Sequence, residues 1–197
     1  MRMPQRPDGA PDADEVGDRL AAWAAGDRQA LEPLYRRESG PVYRYLLMLA
    51  GDAAAAADAT QEAFVALARR PQDYSADRGS LGAYLAGIGR HALLAHWRGQ
   101  QRHEVLDEAA LIDLPDSAPS PEAVLVRRQD QAALMQAVAA LPALFREALV
   151  LVDLQERPYT EAARIAGCEL NTLRTRLHRA RQRLAALLNG AAAGDAP

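Results

Sequence analysis

The chain has no lysine: all 23 of its basic residues are arginine. Arginine presents a planar fork suited to phosphates and guanine, but a bias spread over a whole chain is explained more simply by a GC-rich coding sequence. A single cysteine, Cys168, excludes an intramolecular disulfide and any cysteine-rich zinc site, and it fits a reducing compartment. Its expected role is that of a small buried apolar residue in a turn. Aromatic residues make up only 5% of the chain, alanine is abundant, and no segment alternates apolar with polar residues. Helices are therefore favoured over sheets. No apolar run reaches the roughly 18 residues of a membrane span. The N-terminus also lacks a signal-peptide core, so a cytoplasmic protein without membrane insertion is expected.

Catalytic signatures are missing too. There is no phosphate-cradling glycine loop, no His-Glu-x-x-His and no nucleophile elbow. The four histidines, His91, His96, His103 and His178, lie in arginine-rich surroundings. His91 and His96 have no carboxylate partners nearby, so no metal and no cofactor are expected. The chain reads as a binding protein and not as an enzyme.

What is there is 197 residues, 49% of them apolar, enough for two small cores. A net charge of −3 and a pI near 5.8 argue against a general nucleic-acid coater, so any such binding is local or assisted. Positive charge is gathered in one place. Residues 158–188 read as two helices broken at Gly167, the punctuation of a helix-turn-helix. In the second helix Leu170, Leu173, Leu177, Ala180 and Leu184 form one inward stripe. Asn171, Thr172, Thr175, His178, Arg179 and Gln182 are then expected outward, with Arg174 and Arg176 on the flanks. From Leu170 to Gly190 there are five arginines and no acid. A solvated arginine-rich helix would show the same charge, but the glycine break and one-sided core favour a helix that reads base edges and phosphates.

Upstream, residues 1–13 carry Pro4, Pro7, Gly9 and Pro11 without periodicity and are expected to be a disordered tail. Apolar spacing then predicts a short helix and two longer ones, with breaks at Gly26-Asp27 and Gly40-Pro41. Gly51-Asp52 opens a further helix to about Arg70. Its wheel sends Thr60, Ala63, Phe64 and Leu67 inward and Asp58, Gln61, Glu62, Val65 and Arg69 outward. A loop over 71–80, with Ser80 as N-cap, precedes a helix whose predicted inward stripe is Leu81, Tyr84, Leu85, Ile88, Ala92 and Ala95. Arg90, Leu94 and Trp97 are expected outward, with His91 and Arg98 beside them. An exposed tryptophan among arginines can stack on unpaired bases, although it could equally cap a domain edge.

Residues 104–122 hold six acids, no base and Pro115, Pro119 and Pro121, the composition of a linker. DNA phosphate would repel it, but a basic channel on a protein would accept it. Pro121 suits the first turn of another helix, with Val124, Leu125, Leu134, Val138 and Leu141 as its apolar stripe and Pro142 as its end. A second helix over 144–154 packs Phe145, Ala148, Leu149 and Val152 inward. The fold class expected is all-α, two small helical domains joined by an acidic flexible linker. The boundaries are a tail over 1–13, domains over 14–103 and 123–190, the linker over 104–122 and a tail over 191–197.

The block Tyr159, Glu161-Ala-Ala, Ile165-Ala-Gly167 and Thr172-Leu-Arg174-Thr-Arg176-Leu-His178-Arg179-Ala-Arg181 resembles the C-terminal promoter-binding domain of bacterial sigma factors of the extracytoplasmic-function type. Gly26-Asp27, Tyr35, Val42-Tyr43 and the run from Asp58 to Leu67 are similar to the N-terminal domain of the same family. The resemblance implies that Asn171, Thr172, Arg174, Thr175, Arg176, His178 and Arg179 bind the minus-thirty-five promoter element. It implies that Asp73 and Tyr74 of the loop, with Arg90, His91, Leu94, Trp97 and Arg98, bind the melted minus-ten element. It also implies that Asp58, Gln61, Glu62 and Phe64 dock on the beta-prime coiled coil of core RNA polymerase, with the beta flap a further contact and the linker threading near the RNA exit path. An anti-sigma factor is the partner expected to hold such a protein until a stress or environmental signal. The chain departs from the family pattern at Tyr84, His91, Ala95 and Asn171, where Trp, Asn, Asp and Gly are frequent, and in Gly99-Gln100-Gln101, where a basic run is usual. Rival readings are a free-standing helix-turn-helix regulator, which would bind an operator palindrome alone, and a sigma-like decoy without promoter activity.

Overall fold

The computed structural model describes residues 13–100 and 126–193, and every regular element among them is helical. The helices are α1 (Ala13–Ala24), α2 (Glu32–Ala50), α3 (Ala53–Arg69), α4 (Leu81–Gln100), α5 (Val126–Ala139), α6 (Ala143–Leu149), α7 (Tyr159–Ile165) and α8 (Leu170–Ala193). The acidic linker and most of the two tails lie outside the described residues. These residues group into two compact units. The first holds α1, α2 as far as Leu47, α3, and α4 as far as Leu93; the second holds α5 to α8, with the end of α4 and residues 48–51.

In the first unit the core is built from Leu34, Val42, Tyr45 and Leu46 of α2, from Ala56, Ala59, Ala63 and Leu67 of α3, and from Leu81, Leu85, Ala86 and Leu93 of α4. Small residues on α3 bring the helices close. A Cβ on Gly89 would stand 2.6 Å from Leu46 Cδ1 and 3.3 Å from the Ala59 carbonyl oxygen. Asp52 caps α3, its Oδ1 accepting from the Ala55 N–H at 2.6 Å, and Gly51 before it turns the chain at φ +70°. The Trp23 indole N–H donates to the Ala68 carbonyl at 2.8 Å and ties α1 to the end of α3.

Two expectations for this unit are corrected. The break expected at Gly40-Pro41 does not occur, because α2 runs through it with Pro41 inside the helix. An interior proline costs about 3 kcal/mol relative to alanine. Burial of Leu34 before it and Val42, Tyr45 and Leu46 after it, each contributing roughly 1.5–3 kcal/mol if fully buried, offsets that cost. In α4 Leu81 and Leu85 of the expected stripe are buried, but the buried side is rotated towards Gly82, Ala86, Gly89 and Leu93, whereas Tyr84, Ile88 and Ala92 are half-buried and Ala95 is exposed. The rotation follows the small residues, and at Gly89 Leu46 and the Ala59 backbone come close.

In the second unit α5, α6 and α7 all pack on α8. Phe145, Ala148, Leu149, Val150 and Leu151 of α6 and its extension meet Ala162, Ala163 and Ile165 of α7 and Leu173, Leu177 and Ala180 of α8 in one core. The helix expected over 144–154 is continuous, but its last turn, Val150–Leu154, opens to π-helical pairing, and Val152 is only half-buried. Gly167, at φ +61°, makes the turn between α7 and α8. Cys168 is half-buried and not fully buried as expected, since the turn that carries it lies at the surface. The last helix continues beyond 190 to Ala193. Of the α5 stripe, Leu134 is half-buried and Val138 and Leu141 are buried, while Val124 and Leu125 lie outside the described residues.

Candidate functional site

On α8 the inward stripe holds: Leu173, Leu177 and Ala180 are buried and Leu170 and Leu184 are half-buried. The opposite side presents Asn171, Arg174, Thr175, His178, Arg179 and Gln182, all exposed, while Thr172 and Arg176 are half-buried at its margins. Arg174 donates to the Asn171 side-chain oxygen at 3.3 Å, and the Thr175 hydroxyl donates to the Asn171 carbonyl at 3.0 Å. These contacts orient the first two turns without neutralising any charge. The five arginines of this helix divide by partner. Arg183 lies over the ring of buried Phe145 at 5.0 Å, a cation–π contact facing its own unit. Arg181 makes a two-pronged ion pair with Asp153 at 2.9 and 2.6 Å. With Arg176 half-buried, the exposed arginines left to meet an anion are Arg174 and Arg179.

On α3 the wheel also holds. Asp58, Gln61 and Glu62 are exposed, Thr60, Ala63 and Leu67 are buried, and Phe64 is half-buried. Beside this acidic face the structure shows an open groove between α2 and α3. Tyr35, Gly40 and Tyr43 line one wall and Gln61, Phe64 and Val65 the other. Tyr35 is 52% exposed and Val65 38%. Tyr35 follows the fully buried Leu34 by one residue, about 100° further round the helix, and so falls outside the buried stripe.

The loop over 71–80 folds as two short 3-10 turns, Pro71–Asp73 and Ala76–Arg78. It is braced internally: Arg78 donates to the Asp73 carbonyl at 2.8 Å, and the Tyr74 hydroxyl to the Gly79 carbonyl at 3.3 Å. Ser80 caps α4 as expected, its Oγ accepting from the Ala83 N–H at 3.2 Å. Tyr74 and Tyr84 meet edge to face at 5.6 Å, which links the loop to the helix. Burial first, then the Asp73 carboxylate, hold the Tyr84 hydroxyl above its ordinary pKa against the opposing pull of Arg78. Asp73 is exposed and Tyr74 half-buried.

Along α4, His91 is exposed and Leu94 and Trp97 are half-buried, but Arg90, expected outward, is buried at 9% exposure. It follows Gly89 on the closely packed side of the helix, so the outward face shrinks to His91, Leu94 and Trp97. The Arg98 side chain lies outside the described residues.

The sigma-70 region 2 family matches residues 34–103, and the sigma-70 region 4 family matches residues 131–184. The chain is 34% identical to the ECF RNA polymerase sigma factor SigE of Mycolicibacterium smegmatis, over 82% of this chain and 63% of that one. It is 33% identical to the ECF RNA polymerase sigma factor SigC of Mycobacterium tuberculosis, over 88% of this chain and 91% of the relative. Among solved structures, the fold is similar to that of the sigma factor RpoE of Bartonella quintana in complex with the anti-sigma factor NepR. That match has a TM-score of 0.63 and 23% identity, and it covers 82% of this chain and 98% of the other. CnrH in complex with the cytosolic domain of CnrY matches with the same TM-score at 24% identity, over 91% of this chain and 99% of that one.

Proposed function

The chain belongs to the extracytoplasmic-function family of RNA polymerase sigma factors, and from that premise we propose that it binds core polymerase and directs it to promoters. The observation that carries the reading is the outward face of α8. Asn171, Arg174, Thr175, His178 and Arg179 stand exposed together behind a glycine-turned helix pair. Exposed arginines supply phosphate contacts and bidentate bonds to guanine, while the amide, hydroxyl and imidazole groups supply shorter-range hydrogen bonds to base edges. This helix takes the minus-thirty-five element.

The braced loop over 71–80 and the His91, Leu94 and Trp97 side of α4 take the separated strand of the minus-ten element. An aromatic ring there offers a stacking surface for a base that has left the duplex. The Asp58-Gln61-Glu62 face and the apolar groove beside it take a basic, apolar-tipped segment of polymerase. The similarly folded RpoE of Bartonella quintana is in complex with the anti-sigma factor NepR. An anti-sigma factor that competes for the same surfaces would keep this chain inactive in the cytoplasm until an environmental or stress signal releases it.

Run-off transcription from a promoter library with and without core polymerase tests the reading. Transcripts that require both core and this chain are expected. Tight binding to a palindromic operator without polymerase, with no transcript from any template, would instead indicate a free-standing regulator.

A further inference from the structure

Arg181 stands about two turns after Arg174 on α8, at nearly the same angle around the helix. By face alone it belongs with the residues that meet phosphate. The structure gives it another partner. Its Nε and a terminal nitrogen bind the two carboxylate oxygens of Asp153 at 2.9 and 2.6 Å, across 28 residues of sequence. Asp153 lies in the π-helical turn that ends the α6 extension, and that turn carries it towards α8. The Tyr159 hydroxyl, at the start of α7, lies near enough to act electrostatically on the same guanidinium.

The connector between these two partners is itself fixed. Arg157 pairs with Glu161 of α7 and donates to Gln155 at 3.1 Å. Glu156 takes a left-handed turn at φ 53°, an uncommon conformation for a residue other than glycine. Arg157 also donates its backbone N–H to the Leu151 carbonyl at 3.0 Å. Arg181 thus closes a ring of contacts that runs from the end of the α6 extension through the connector to α7 and back to α8.

We propose that Arg181 is a positioning residue: its ion pair with Asp153 sets the angle of the reading helix against the α6–α7 connector, and its charge is spent there and not on DNA. The proposal rests on the reading that α8 takes the minus-thirty-five element. With Arg181 52% and Asp153 30% exposed, the pair contributes little to global stability. Its effect is on orientation, and a small tilt at this point is amplified at Asn171 and Arg174, which sit at the far end of the helix.

The test uses the full chain assembled with core polymerase. Affinity is measured for promoters with an intact or scrambled minus-thirty-five element over a range of salt. The variants are Arg181→Gln, Asp153→Asn, both together, and the exchange Asp153→Arg with Arg181→Asp. Either single change is expected to reduce the preference for the intact element several-fold, with unchanged thermal melting and an unchanged salt slope. The double neutral variant should be no worse than either single one, and the exchange should recover part of the preference. A direct phosphate contact predicts a different pattern. Arg181→Gln would then flatten the log–log salt slope by about 0.9, while Asp153→Asn would bind as well as the wild type or better, and that result overturns the proposal. Indifference of the wild-type holoenzyme to the minus-thirty-five element would overturn the underlying reading of α8 instead.

Discussion

The rings of Tyr35 and Phe64 meet edge to face with centroids 4.8 Å apart, one from α2 and the other from α3. Such a pair contributes about 0.5–1.5 kcal/mol beyond the area it buries. Here it also joins the two walls of a groove that water reaches, since Tyr35 is mostly exposed and Val65 is open to solvent. A large aromatic left half in water beside three exposed polar and acidic residues is the composition of a surface that another protein covers.

Reversal of Glu62 to Arg is therefore expected to abolish stable holoenzyme assembly. Glu62 is exposed and its side chain carries no packing, so the fold should survive. A like charge brought against a basic partner costs several kcal/mol. Tyr35→Ser should weaken assembly less, through lost apolar contact alone. Co-purification with core polymerase, alongside a circular-dichroism melt, checks both. Wild-type assembly by the reversed variant would remove this face from the interface.

Much of this was legible in the sequence, and the misses have a common origin. The period of apolar residues located the helices apart from the false break in α2, and on α3 and α8 it also gave the correct face, because one stripe there is apolar and the opposite one polar. On α4 the same reading turned the helix wrongly and put Arg90 outside. Hydropathy gives glycine no weight, yet Gly82 and Gly89 are buried, and at Gly89 Leu46 and the Ala59 backbone come close. Pro41 failed in the opposite sense: a strong local breaker was overridden by a buried face on both sides of it. Tertiary pairing left no signal in the sequence at all. Nothing in the spacing of Asp153 and Arg181 foretold their contact, and the groove lined by Tyr35 exists only once α2 and α3 are side by side.

Gly89→Ala should destabilise the first unit. The new methyl would overlap Leu46 Cδ1 at 2.6 Å and press on the Ala59 carbonyl oxygen at 3.3 Å. Overpacking of this kind typically costs about 1–3 kcal/mol. Shortening Leu46 to Ala in the same chain should cost less than the sum of the two single changes, because the clash is with that side chain. Denaturant unfolding of the three variants measures the coupling. Additive losses would show that the methyl is accommodated by backbone movement and not by Leu46.

Arg179→Ala is expected to weaken promoter binding by the holoenzyme, and Arg174→Ala to a lesser degree, since Arg174 is partly engaged with the Asn171 side chain at 3.3 Å. A lost base contact costs roughly 1–3 kcal/mol and relaxes preference at one position of the element. A lost phosphate contact weakens all sequences alike and flattens the salt dependence. Promoter variants titrated over salt separate the two. Wild-type binding by both variants would contradict the face assigned to α8.

On the proposed reading, Trp97 is the α4 residue that would hold a base of the opened DNA. It is half-buried, with Leu94 also half-buried and His91 exposed near it on the helix, while Arg90 has turned inward. A base released from the duplex could stack on the open part of the indole, at roughly 1–3 kcal/mol per base. Trp97→Ala should then impair open-complex formation more than initial promoter binding, and a template already melted over the minus-ten element should restore most of the transcript. His91→Ala should give a smaller defect of the same kind, since an exposed imidazole can hydrogen-bond but offers less surface. Transcription on duplex and pre-melted templates, run beside a thermal melt of each variant, makes the distinction. Equal defects on both templates with a lowered melting temperature would assign Trp97 to packing and leave strand capture to the loop over 71–80.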